Sequence, residues 1–273
     1  MENQTYFNKE IIMVDVCSVD NSVELVRKKF PKVRIVELKK NLGVAGYNEA
    51  MKLAKGDYFI LVDSDAVIEK GATSRIVEIF KKCDVDMISF KILDSKTGKM
   101  IDNPGHDSKG TKGCGYETGF LNSAALALRR EVFQKTGGFD FEYFVYIIEM
   151  ELCIRAIQKG FKVRHFPDLP CRHKFGPSKI RSNAKYYVSR NWVYFIVQYL
   201  PLWIIPVFLA WSVFKVFYDT SHGYGLAGSY FQGFLSGLKE VPYYWKKRKV
   251  LTGSQLWLFM RTQFIVGGFT NKW

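Results

Sequence analysis

The sequence predicts an α/β fold built on a mostly parallel sheet, followed by a helical tail. Three observations carry this prediction. Short apolar runs alternate with helix-like segments from Ile11 onward. One of those runs, Tyr58-Phe59-Ile60-Leu61-Val62, ends abruptly in Asp63-Ser64-Asp65. The last third of the chain gathers aromatic and basic residues and includes a stretch, Asn191 to Phe214, with no charged side chain.

Ile11 to Asp15 reads as a strand, Ser22 to Phe30 as a helix and Val33 to Leu38 as a second strand. Such alternation implies parallel pairing through a right-handed crossover. Asn41-Leu42-Gly43-Val44-Ala45-Gly46-Tyr47-Asn48 follows as a loop that lets backbone approach a ligand closely. Its glycine spacing does not fit the dinucleotide or P-loop patterns. Tyr58 to Val62 is apolar on both faces and reads as a buried parallel strand. Asp63 and Asp65 then sit at its carboxyl end, where ligands bind in open α/β sheets. Two carboxylates there suit a hard divalent cation bridging to phosphates. The alternative is that Asp63 caps a turn and Asp65 the next helix.

Ala72 to Lys82 has helical spacing, and Val85 to Ile92 reads as a strand. Lys96 to Gly119 reads as a long loop over the site, with His106 an ordinary surface histidine. Ser123 to Phe133 reads as a strand running into a helix that ends at Gly137-Gly138-Phe139-Asp140. Phe161 to Pro167 reads as a short strand, and Cys171 to Ser178 as a basic loop.

Of 273 residues, 16% are aromatic, and the formal net charge of +14 calls for an anionic partner. Aromatic and basic residues interleaved, as in Tyr243-Tyr244-Trp245-Lys246-Lys247-Arg248-Lys249, fit an anionic membrane surface. No nucleic-acid-reading motif accompanies them. Pro201 and Pro206 interrupt the uncharged stretch, and basic residues flank both of its ends. A kinked helix or helical hairpin lying in the cytoplasmic leaflet fits better than a single span. The five cysteines show no metal-binding spacing and read as five ordinary small apolar residues. Their odd number, without a signal peptide, points to a reducing, cytosolic setting.

Taken in order, Asp15, the Asn-x-Gly-x-Ala-Gly-x-Asn loop and Asp63-x-Asp65 resemble the nucleotide-sugar half of the family 2 glycosyltransferases, rhamnosyltransferase-like members included, which have the GT-A fold. The resemblance runs from Ile11 to Asn191. It implies that Asp15 contacts the base and that Asn41, Gly43, Gly46 and Asn48 flank the nucleoside. It also implies that Asp63 and Asp65 hold Mg²⁺ or Mn²⁺ against the diphosphate. The family opens with an additional strand and helix before the segment equivalent to Ile11–Asp15. Met1 to Glu10 is too short for both, so a chain shortened at its start or a reduced variant is expected.

Tyr143 to Arg155 resembles the family's acid-base segment at a helix N-terminus. Glu149 falls on the position of the catalytic base, Ile148 replaces the preceding Glu, and Glu151 replaces a later Asp. Glu151 and Arg155 are carried over as substrate-binding, although at a spacing of four they also read as a surface pair. His173 falls where the family places a histidine near the diphosphate, to complete the expected metal set or to contact phosphate; the alternative is a solvated basic loop. Lys185 to Asn191 resembles the Tyr-rich Arg-Asn helix that closes the acceptor side.

The expectation is a catalytic domain over residues 1–182 and a membrane-associated tail over 183–273. The implied function is metal-dependent, inverting transfer of a sugar from a nucleotide-diphosphate sugar to a lipid-linked or surface glycan, at the cytoplasmic face of the membrane. The alternative is an impaired nucleotide-sugar-binding or scaffold protein of the same fold.

Overall fold

The computed structural model describes residues 4–101, 113–174, 181–221 and 227–262; His106 and Ser178 lie outside them. The chain forms strand β1 (Ile12–Asp15), helix α1 (Ser22–Lys29) and strand β2 (Arg34–Glu37). β1 and β2 pair in parallel, as the intervening helix dictates. They make a two-stranded sheet of their own, and no side chain of α1 is buried.

A 3₁₀ turn over Gly43–Gly46 then leads into α2 (Tyr47–Leu53). The larger sheet uses β3 (Tyr58–Val62), β4 (Ala66–Ile68), β5 (Met87–Asp94), β6 (Tyr116–Glu117), β7 (Ala125–Arg129) and β8 (Val163–His173). Between them lie α3 (Ala72–Lys82), α4 (Arg130–Thr136) and α5 (Ile148–Gln158). Strand order is β3-β7-β5-β8-β4, with β6 also on β8.

The expectation of a mostly parallel sheet is corrected. In the larger sheet only β5 and β8 run parallel, whereas β3/β7, β5/β7, β4/β8 and β6/β8 are antiparallel. A helical crossover forces parallel pairing only on the strands it joins as neighbours. β7 instead inserts between β3 and β5, and its Ala125-Leu126-Ala127-Leu128 run is wholly buried there.

Strand β8 is longer than the predicted Phe161–Pro167 segment. It passes Pro167, the expected limit, and runs on to His173. The register against β5 jumps from Phe90↔Phe166 to Lys91↔Pro170, so residues 167–169 bulge out of the ladder. A bulge tolerates the missing proline donors. Beyond it, the pairing places His173 opposite Ala66 of β4.

Helix α5 is buried on several sides. Its Ile148 and Leu152 pack with Leu126 and Leu128 of the sheet, while Met150 and Ile154 pack with Phe195, Ile196 and Tyr199 of α6 (Arg181–Tyr199). The chain on either side of residue 182 therefore shares one core. Helices α7 (Ile205–Ser221), α8 (Ala227–Lys239), α9 (Val241–Lys246) and α10 (Gly253–Met260) follow. The uncharged stretch breaks at Pro201 into two helices. Its first half is core, whereas Leu202, Trp203 and Val207 just beyond the break are exposed. No described helix is long and apolar enough to cross a membrane.

The reading of five ordinary cysteines is also corrected. Cys83 and Cys114 form a disulfide, while Cys17, Cys153 and Cys171 are free thiols. The partners are 31 positions apart, and no local spacing pattern relates them. Alkylation of the purified, denatured protein should label three cysteines before reduction and five after it, counted by intact mass.

Candidate active site

The carboxyl end of β3 and the end of β8 meet at a cluster of three metal-ligating groups. One ligand atom each from Asp63, Asp65 and His173 lies within 4.8 Å of the others. The sheet explains the convergence. Asp63 and Asp65 occupy the turn between β3 and β4, the β4/β8 register brings His173 alongside, and Lys174 N–H donates to the Asp65 carbonyl at 2.9 Å. His173 Nε2 lies 3.1 Å from Asp65 Oδ1. Burial raises the Asp63 carboxyl above the ordinary carboxylate range, and the Asp65 charge adds to this; the Tyr47 hydroxyl, donating at 2.8 Å, works against it. A cation offsets the repulsion of two neighbouring carboxylates. Two carboxylates and an imidazole suit a divalent cation by donor type, and the exposure of Asp65 leaves that side open.

Tyr47, which the sequence reading passed over, connects this cluster to the next. Burial raises its hydroxyl well above the usual tyrosine range, and the charges of Asp63, Asp65 and Glu149 raise it further. The phenol stays protonated and keeps donating to Asp63. Its position, one residue after Gly46 and at the first residue of α2, was the available signal.

Glu149 lies in the first turn of α5, at 8% exposure. A helix N-terminus favours a carboxylate there. The segment leading to it is strained. Phe144, Tyr146 and Ile147 all have positive φ, at 62°, 59° and 64°. Each such non-glycine backbone costs about 1–3 kcal/mol and persists only where its surroundings enforce it. One support comes from the Gly-rich loop, since Val44 N–H donates to the Phe144 carbonyl at 2.9 Å. Gly43 has φ +58°, and a Cβ there would stand 2.2 Å from that same carbonyl oxygen. Its glycine is required by this contact with the chain itself.

The remaining predicted residues are placed as follows. Asp15, at the end of β1, is buried and accepts the Ser18 N–H at 3.2 Å, which forms the turn. Asn41 Oδ1 accepts the Gly43 N–H at 2.8 Å. Gly46 packs against Val16 beside β1. The Asn48 amide is engaged twice with Phe139, donating to its carbonyl at 2.8 Å and accepting its N–H at 2.9 Å. It thereby ties the Gly-rich loop to the Gly137-Gly138-Phe139-Asp140 turn.

Glu151 and Arg155 do pair, but inside the protein and not on its surface. Arg155 Nε and Nη2 donate to the Glu151 carboxylate at 2.5 and 2.6 Å, and Glu151 is 1% exposed. Tyr199 donates to the same carboxylate at 2.7 Å, and Arg155 also reaches the carbonyls of Thr136 and Gly138. Burial opposes the guanidinium charge, but Glu151 overcomes this and holds it firmly protonated. These contacts fasten α5 to the α4 turn and to α6. Position 148, where the resemblance expects an acid, carries Ile148, which is fully buried in the core.

The family comparison decides the assignment. Residues 1–137 match the model described as glycosyl transferase family 2. The chain belongs to that family. Among curated relatives, the O-antigen chain rhamnosyltransferase WbaN of Salmonella anatum is 22% identical over 199 residues, covering 68% of this chain and 63% of WbaN. The chain thus spans less than two thirds of that relative. A mannosyltransferase from Pyrobaculum calidifontis, solved with GDP-Man and Mn²⁺, matches with a TM-score of 0.54 at 16% identity, over 100% of this chain and 81% of its own. GalNAc-T7, solved with UDP, GalNAc and Mn²⁺, matches with a TM-score of 0.58 at 15% identity, over 86% of this chain and 50% of its own. At these identities the structural matches show the GT-A fold alone.

The buried pair and the helix-terminal carboxylate should respond differently to substitution. Glu151→Ala strands a buried guanidinium and should destabilise the protein by about 3–5 kcal/mol. Glu149→Gln should shift the melting temperature by less than a quarter as much, both read by calorimetry.

Proposed function

We propose that this protein transfers a sugar, with inversion, from a nucleotide-diphosphate donor to a lipid-linked or surface-glycan acceptor. The observation that carries the reading is the Asp63–Asp65–His173 cluster, joined through the Tyr47 hydroxyl to the neighbourhood of Glu149. Asp63, Asp65 and His173 hold the divalent cation, which when bound supplies positive charge to the departing diphosphate. Asp15 and the Gly-rich loop accommodate the nucleoside. Glu149 takes the proton from the acceptor hydroxyl as that oxygen attacks the anomeric carbon from the face opposite the diphosphate. Tyr47 keeps its proton and orients the Asp63 oxygen. The nucleotides named for the neighbours, GDP-Man in one and UDP in the other, leave the base open.

The test is transfer and donor hydrolysis with purified protein. Chelation should abolish turnover and Mn²⁺ should restore it. Asp65→Ala and Glu149→Gln should each lower kcat by about 10²-fold or more. Rates at background in wild type and both variants alike would overturn the reading. It would favour the second one, a nucleotide-sugar-binding protein without turnover, which draws on the replacement of a carboxylate by buried Ile148.

The acceptor class rests on membrane docking. Trp203 is 71% exposed, with Leu202, Val207 and Phe214 also outward, and Trp245 stands beside Lys246 and Lys247. These exposed residues would rest on the cytoplasmic leaflet without spanning it. Co-sedimentation should detect binding to vesicles containing phosphatidylglycerol, weakened by salt. Each of Lys246→Gln and Lys247→Gln should weaken it about fivefold. Binding equal to that on neutral vesicles would remove the anionic-surface proposal.

A further inference from the structure

The strained segment before Glu149 is gripped by two consecutive side chains of α6. Asn191 is fully buried, and its Nδ2 lies 2.8 Å from each of three backbone carbonyls, those of Tyr143, Val145 and Tyr146. These carbonyls flank the left-handed residues Phe144, Tyr146 and Ile147. An amide offers two hydrogens, so at least one is shared, and its oxygen must point away from the carbonyls. Arg190 enforces that orientation, since its Nε donates to Asn191 Oδ1 at 3.0 Å. Arg190 Nη2 also donates to the carbonyls of Glu142 and Tyr143, at 2.7 and 3.1 Å. The guanidinium lies against the rings of Tyr187 and Tyr194, 4.9 and 5.1 Å from their centroids.

We propose that Asn191 is a positioning residue for the base: its amide fixes the left-handed segment that aims Glu149, and Arg190 fixes the amide. This rests on Glu149 being the base. Asn191 lies more than 40 positions beyond Glu149, and its Nδ2 donates to carbonyls of the segment before it. Its action on transfer therefore runs through the backbone. A carboxamide suits this task because it presents two donors to acceptors crowded together. Released from it, the segment relaxes toward ordinary backbone, and the Glu149 carboxylate shifts relative to the acceptor oxygen. A displacement on the order of an ångström is enough to cost about 10²-fold in rate.

The test is a double-mutant cycle on the full chain, with kcat, donor KM and nucleoside-diphosphate binding measured in the presence of Mn²⁺. Asn191→Ala should lower kcat by about 10²-fold, with donor KM and nucleotide Kd changed less than about threefold. In the Glu149→Gln background the same substitution should have almost no further effect, because a group acting only through the base loses its influence with it. Losses that multiply in the double variant, or a Kd that weakens in step with kcat, would overturn the proposal. If Asn191→Ala does not fold, Arg190→Lys removes the Nε donor while keeping the charge, and it carries the same comparison with a smaller loss. Full activity in Glu149→Gln alone would instead strike the base assignment, and the proposal would fall with it for that separate reason.

Discussion

A single hydrogen bond, from the Tyr47 hydroxyl to Asp63, joins the two parts of the chain that the site requires. Asp63 is held by the sheet, at the turn from β3 into β4. Tyr47 begins the helix that the Gly-rich loop launches, and that loop also contacts the segment in front of Glu149. Burial makes the bond strong in the direction that matters. It keeps the phenol protonated and would leave Asp63 poorly compensated without the phenol, Asp65 being close by. A cation and a tyrosine donor are complementary answers to one problem, a partly buried carboxylate beside another. The remaining geometry, from the β8 bulge that delivers His173 to the Asn48 tie, serves to keep these groups within reach.

Much of the cleft was legible because its parts are local. Tyr58 to Val62 is apolar on both faces and is followed by carboxylates, so strand and site come from one short stretch. The first crossover, α3 and the small-residue run of β7 were legible for the same reason, since side-chain periodicity records burial directly. The illegible features are those decided by distant partners. Nothing within β7 says that it runs antiparallel between β3 and β5. Pro167 looks terminal until the bulge against Phe90 and Lys91 absorbs it. Cys83 and Cys114 carry no mark of each other.

Glu151 and Arg155 illustrate the same limit on the side of function. At a spacing of four, a pair on a helix surface and a pair in a core are written identically. Only the neighbours, Tyr199 and the carbonyls of Thr136 and Gly138, distinguish them. The uncharged stretch from Asn191 divides likewise. Its α6 half is apolar because it packs against α5, while Leu202, Trp203 and Val207 past the break face outward. Hydropathy alone counts both halves the same. Asn191 itself, polar and fully buried at the start of that stretch, breaks the apolar pattern, and its three carbonyl partners give the physical reason.

The β1–α1–β2 unit is held less closely than the rest. It shares no ladder with the larger sheet, α1 buries nothing, and Val19 and Leu25 face solvent. Elements with so little apolar cover open locally at low free energy, ahead of the whole. Asp15 sits at the tip of that unit. A molecule seated beside it would spend part of its affinity on holding this edge closed, so occupancy and rigidity there would rise together.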